Sequence, residues 1–192
     1  YSETILSSQY LEAKKRLVTS FLSNKSYSTI IDLGTNDGVF SLLLKDNANR
    51  IIAVDADVNC IEELYNYTRK KKIKNIVPLF SSLNAPTPAV GWNNEERTSL
   101  LKRLNGELVL ALALVHHLAI ANNVPLTLIA KWLHYMGEIL LIEFVPKSDE
   151  KVKQLLKNRE DIFDDYNLVS FKSIFENYYI ILNEEKVGDT DR

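Results

Sequence analysis

The sequence predicts an open, doubly wound α/β fold with a mostly parallel sheet. Three observations predict it. Apolar runs of strand length alternate with segments of helical period, the pattern of βαβ units. The first strand runs into a turn with two glycines, Gly34 and Gly38, that opens a helix. The second strand ends in a carboxylate, Asp55.

The elements follow in order. Residues 9–22 place Leu17, Val18, Phe21 and Leu22 on one helical face. Residues 28–33 (STIIDL) form a short β-branched strand ending at Gly34, and a helix spans about 38–45. Residues 51–55 (IIAVD) are the second strand. Ile61, Leu64, Tyr65 and Thr68 then recur at helical spacing, which marks an amphipathic helix. Residues 76–80 are the third strand. Pro86, Pro88 and Gly91 make 81–92 a loop, and 94–104 reads as a polar helix. Residues 107–114 are nearly all apolar, as expected of a strand buried on both faces. Leu126, Ile129, Ala130 and Leu133 mark the next helix, with Pro125 near its first turn. Residues 138–144 (EILLIEF) are the fifth strand, stopped by Pro146. Helices over about 149–158 and 168–176, a last strand over 178–182 and a polar tail complete the chain.

The totals exclude several classes. A chain of 192 residues, 46% hydrophobic and 25% charged, suits one soluble domain with a full core. A formal net charge of −2 gives no whole-chain attraction to nucleic acid or anionic lipid, so neither is an expected partner. The single cysteine, Cys60, forbids an intrachain disulfide and suits the cytoplasm; it is expected to pack against the sheet. No apolar run approaches the ~20 residues of a membrane span, and no signal peptide is evident. A first residue of Tyr1 rather than Met suggests a fragment or a processed chain. Arg69, Lys70, Lys71, Lys72 and Lys74 read as a solvated cationic helix end, with an RNA or phosphate contact as the sharper reading.

The loop after the first strand carries the most information. Its spacing is Gly34-x-x-x-Gly38, with Asn36 and Val39 where a dinucleotide fingerprint needs glycine. The Lys-Ser/Thr pair of a phosphate P-loop is absent. A carboxylate at position 55 would sit beside that loop and can accept hydrogen bonds from both hydroxyls of a ribose. A cofactor without a pyrophosphate fits a turn with only two glycines.

D-L-G-x-x-x-G on strand one, followed by an acid ending strand two, resembles the class I S-adenosylmethionine (SAM)-dependent methyltransferases. The resemblance implies that residues 28–192 form the methyltransferase domain behind an N-terminal helical segment, 1–27. It implies SAM as cofactor, held by Asp32, Gly34, Asn36, Gly38, Asp55, Ala56, Ser82, Leu83 and Leu112. Ser82 stands where the family often has Asp near the adenine; a hydroxyl can still accept a hydrogen bond. The family's sheet ends in a hairpin of strands six and seven. Strand six is expected at 178–182, and the final strand is expected to be missing from this chain.

Three stretches should face the acceptor. The loop N-A-P-T-P-A-V-G-W offers Pro86, Pro88 and Trp92. His116 and His117 follow the fourth strand, where an imidazole could take a proton from a hydroxyl or amine. Glu143 lies in an apolar strand and needs a partner, for which Lys147 is the nearby candidate. Tyr10 and Lys14 either cover the cofactor or belong to a packing helix whose lysine is solvated, and Asp161, Asp164, Asp165 and Tyr166 either rim the acceptor pocket or form an ordinary acidic loop. No metal site is expected, because His134 is the only other histidine. Together these stretches resemble a bacterial methyltransferase family that includes nodulation-related proteins, over residues 10–192. The expected reaction is methyl transfer to an oxygen or nitrogen, with a small-molecule acceptor favoured over nucleic acid. Two other functions fit the same fold: a non-catalytic SAM-binding or protein-interaction module, and a nicotinamide-dependent oxidoreductase.

Overall fold

The computed structural model describes residues 8–22 and 25–192. The start of the 1–27 segment and residues 23–24 lie outside the described residues. Two compact units form. The first comprises Lys25–Leu112 and Trp132–Ile142; the second contains the N-terminal helix, Ala113–Lys131 and Glu143–Arg192.

The first unit holds the sheet. Its strands are β1 (Tyr27–Leu33), β2 (Ala48–Asp55), β3 (Ile76–Phe80), β4 (Leu108–Ala111) and β5 (Ile139–Ile142), in the order β3-β2-β1-β4-β5. All pairings are parallel. Ile30, Ile31, Leu33, Ile51, Val54, Leu108, Val109 and Leu110 are fully buried, which is why these strands read as unbroken apolar runs. The order reverses between β1 and β4. In open sheets that switch point, at the carboxyl ends of the strands, is where ligands bind.

Two helices after β1 and β2 set the site. Helix α2 (Val39–Leu43) starts at Gly38 and is followed by a tight turn over Lys45–Asn47. Helix α3 (Val58–Lys71) is capped by Asp57, whose side chain accepts the amides of Asn59 and Cys60. It buries Ile61, Leu64 and Thr68 and ends at Lys72 in the left-handed conformation.

The polar helix expected over 94–104 shrinks to α4 (Leu100–Arg103), with Ser99 as its cap. Asn93 and Asn94 take positive φ (56° and 57°), and Val90 and Arg97 bond each other as a small antiparallel bridge. Asparagine tolerates that conformation, and the polar run offers no apolar face to hold a helix. β4 stops at Ala111 rather than 114, because Ala113 turns at φ 53°.

In the second unit, α1 (Ser8–Leu22) buries Tyr10, Lys14, Val18 and Leu22. A π-helical turn over His117–Ala121 precedes α5 (Leu126–Met136), which contributes residues to both units. Helices α6 (Glu150–Leu156) and α7 (Leu168–Phe175) follow. Phe144 packs on Tyr166 and Phe171, with ring centroids 5.2 and 4.9 Å away. The strand expected over 178–182 does not form. The amides of Tyr178 and Tyr179 turn back to the Phe175 carbonyl, at 3.0 and 2.9 Å, and extend the end of α7 instead. Among the described residues no helix is long and apolar enough to cross a membrane.

Candidate functional site

The sheet unit builds its site from the β1 loop upward. The amides of Gly34 and Thr35 both donate to the Val54 carbonyl, at 2.9 and 3.1 Å, which fixes the loop to β2. Asp32 works from beneath. It is 2% exposed, and its Oδ2 accepts the hydroxyls of Thr35 and Ser41 at 2.7 Å each. Its carboxylate therefore ties the loop to α2. Gly34, Asn36 and Gly38 all take positive φ, at 71°, 50° and 78°. Gly38 is also a packing requirement, since a Cβ there would come within 2.5 Å of Leu64 Cδ1.

Asp55 lies at the end of β2, half-buried. Its Oδ2 accepts the Asn36 amide at 2.7 Å and its Oδ1 accepts the Asp57 amide at 2.9 Å. A carboxylate has roughly four lone-pair sites, so acceptor capacity remains beyond these two bonds. Ala56, the next residue, is exposed. The β3 end lies alongside, because the Ser81 amide donates to the Asp55 carbonyl at 2.9 Å. Ser82 and Leu83 are half-buried there, and the Ser82 hydroxyl donates to Asn84 Oδ1. Leu112 follows β4, half-buried. The strands are parallel, so the loops after β1, β2, β3 and β4 emerge at one edge. Pro86 and Pro88 lie in the β3 loop, and Trp92 beyond them is 84% exposed.

Cys60 does not pack against the sheet. Its thiol donates to Asn36 Oδ1 at 3.2 Å, so it supports the loop from α3. Burial, then the acids Asp57, Asp55, Asp37 and Glu63, push its pKa up and keep it protonated. The signal was available: an N-cap at Asp57 places residue 60 on the first turn of α3, beside the loop.

The second unit holds the histidines and Glu143. The His116 and His117 rings lie 4.2 Å apart. His117 is exposed, whereas His116 is fully buried and neither of its ring nitrogens has a hydrogen-bond partner among the described residues. Burial, then the neighbouring charges of His117 and Arg192, lowers the His116 pKa to about 3. Both sit where the chain enters the π-helical turn, with the Asn122 amide reaching back five residues to the His117 carbonyl at 3.1 Å. Such turns are frequent at functional sites.

Glu143 finds partners, but not Lys147. Its Oε2 accepts Lys14 Nζ at 2.7 Å, its Oε1 accepts the Tyr10 hydroxyl, and Arg192 Nη1 lies 3.8 Å away. Arg192 in turn binds Asp149 through Nε and Nη2, each at 2.7 Å. Lys14 is thus buried in an ion pair rather than solvated. Lys147 pairs with Asp161 instead, at 2.7 Å. The Tyr166 hydroxyl donates to the Val145 carbonyl at 2.9 Å, so that ring belongs to the core.

No family model matches the chain. It is 37% identical over 180 residues to nodulation protein NoeA of Rhizobium meliloti (strain 1021), covering 93% of this chain. The chain spans 38% of the length of that relative. The N-methyltransferase NodS from Bradyrhizobium japonicum WM9 superposes with a TM-score of 0.55 at 13% identity, over 78% of this chain and 82% of that one. A SAM dependent methyltransferase from Aquifex aeolicus gives 0.50 at 16% identity, over 79% and 82%. The fold is that of the SAM-dependent methyltransferases.

Within that fold, the carboxyl edge of the sheet presents an acceptor and an open loop. Asp55 has acceptor capacity for ribose hydroxyls, and the loop carries left-handed residues where a side chain would otherwise crowd a ligand. Two features of this methyltransferase fold had no sequence signal. The anchoring of α1 through Tyr10 and Lys14 joins residues more than a hundred positions apart. The involvement of Arg192 comes from the far end of the chain.

Proposed function

We propose that this chain is a SAM-dependent methyltransferase whose acceptor presents an oxygen or nitrogen nucleophile on a small molecule or sugar. The observation that carries the reading is the Asp55 carboxylate, clamped by two backbone amides at the edge where the two-glycine loop emerges. A carboxylate fixed in this way needs no ordering when two hydroxyls arrive. That NodS is an N-methyltransferase and the Aquifex protein a SAM dependent methyltransferase supports the same reading.

Bound at that edge, SAM supplies a methyl group already activated on its sulfonium, so the chain's task is to align the acceptor and exclude water. Of the two histidines, we take His117 as the candidate base. It is exposed, whereas His116 is buried and, with a pKa of about 3, too weak a base at neutral pH. Pro86 and Pro88 limit the freedom of the acceptor-side loop, and the Trp92 indole offers an apolar face to a ring.

Calorimetric titration with SAM, S-adenosylhomocysteine and NAD tests the proposal. Both sulfur ligands should bind saturably. Asp55→Ala should weaken them about a hundredfold, the loss of two hydrogen bonds to a charged group. Binding of NAD alone would replace this reading with the oxidoreductase. Binding of the sulfur ligands with no methyl transfer to any acceptor class would favour the non-catalytic module.

A further inference from the structure

The basic run at the end of α3 is part of a larger surface. Arg69, Lys70, Lys71, Lys72 and Lys74 are all exposed. The fold brings further cations to them. Asn75 Nδ2 donates to the carbonyls of Lys45 and Ala48, at 2.6 and 2.9 Å, so the 72–75 turn sits against the start of β2. Arg50 lies on that strand beside Ile51, whose amide donates to the Asn75 carbonyl at 2.7 Å. Asn47 Nδ2 reaches the Lys25 carbonyl at 3.3 Å. Lys25, Lys45 and Arg50 thus join the run at the amino edge of the sheet. Two acids lie at this edge: Asp46, paired with Lys45, and Glu107, whose Oε2 accepts the Ser28 amide at 2.9 Å.

A helix end carries the equivalent of only about half a negative charge, so one cation satisfies it. Five cations within six positions exceed that need and repel one another. The acids Asp37, Asp55 and Asp57 lie at the opposite, carboxyl edge. The eight residues of β2 separate the two edges by about 23 Å, at ~3.3 Å per residue. That is nearly three Debye lengths at physiological salt, where the Debye length is ~8 Å. The net charge of −2 therefore averages two fields that screening keeps apart.

We propose that this amino edge docks on an anionic phospholipid surface. Most of its cations are lysines, strongly hydrated point charges that answer to the density of negative charge rather than to its geometry. Arg69, an arginine that could have forked onto a phosphodiester, is occupied by Tyr65: its guanidinium lies 5.6 Å from the ring centroid and Nη1 bonds the hydroxyl at 3.3 Å. This favours a charged surface over a nucleic-acid strand. Docking by the amino edge points the sheet's carboxyl edge, with Asp55 and the glycine loop, away from the lipid. The inference is independent of the methyltransferase reading.

Flotation with phosphatidylcholine vesicles, with and without phosphatidylglycerol, tests it. The chain should float only with phosphatidylglycerol, and should be released as the Debye length falls from ~10 Å at about 0.1 M salt to ~3 Å near 1 M. Lys70→Gln/Lys71→Gln/Lys74→Gln should keep its melting temperature and lose vesicle binding about tenfold or more. Absence of binding to phosphatidylglycerol, or equal binding by the triple variant, overturns the proposal. So does tighter binding to a single-stranded DNA oligomer than to vesicles at the same salt.

Discussion

His116 shows what a single residue can reveal. A buried ring nitrogen with no hydrogen-bond partner costs about 1–3 kcal/mol, and this ring has two. Phenylalanine would fill a similar volume without that cost, so His116→Phe should stabilise the chain at pH 7. The pH dependence has a definite sign. The folded pKa, about 3, lies below the ordinary 6.5, with Arg192, Asp149, Lys151 and His117 as the surrounding charges. Between those two values the unfolded chain binds a proton that the folded chain does not. The chain's stability is therefore unaffected by this titration above pH 6.5 and falls as pH drops toward 3, at about 1.4 kcal/mol per pH unit. Urea unfolding across pH 6.5 to 4 should show wild type losing stability faster than His116→Phe by that slope. Parallel curves would mean that the ring is not held neutral. Asp149, whose pKa is lowered because its bonds to Arg192 outweigh burial, responds only at lower pH, below the usual carboxylate range.

Helix α1 shows where sequence reading succeeds and where it stops. Its apolar period gave its position, and Glu143 was recognisable as an acid that needed a partner in an apolar strand. The partner could not be recognised, because proximity in sequence suggests Lys147 and the fold supplies Lys14 and Tyr10. The apolar stretches of β1, β2 and β4 were legible for the opposite reason: an apolar run buried on both faces needs no knowledge of its neighbour. The segments over 94–104 and 178–182 were misread, since left-handed asparagines and a β-prone run drawn into a helix end depend on what surrounds them. The Glu143 pair has a measurable consequence. Glu143→Gln deprives a buried Lys14 of its carboxylate and should cost about 3–5 kcal/mol, with faster hydrogen exchange along α1. Lys14→Met combined with Glu143→Gln should recover most of that stability, because it removes both charges. A single-variant loss below about 1 kcal/mol would mark the pair as effectively solvated.

For the whole molecule, the sequence disclosed a doubly wound parallel sheet and the turn that follows its first strand, because apolar runs and glycine spacing are local. It did not disclose the charge separation between the sheet's edges, because a net charge sums over positions that the fold sets apart. The segment 178–182 is a second feature visible only at this scale. Its five residues, Tyr-Tyr-Ile-Ile-Leu, are uncharged, lack proline and favour β-structure. Ile180 and Leu182 are 86% and 80% exposed, and no strand of the sheet pairs with them. Short runs of this composition are templates for pairing between chains, and charged neighbours such as Glu184, Glu185 and Lys186 restrain them only in part. Ile180→Lys/Leu182→Lys should therefore slow concentration-dependent light scattering. The side chains bury little, so the unfolding free energy should stay within about 0.5 kcal/mol of wild type. Unchanged scattering would place self-association elsewhere on the chain. A large loss of stability would instead mean that these side chains pack in solution, and that the segment is a structural element rather than an open edge.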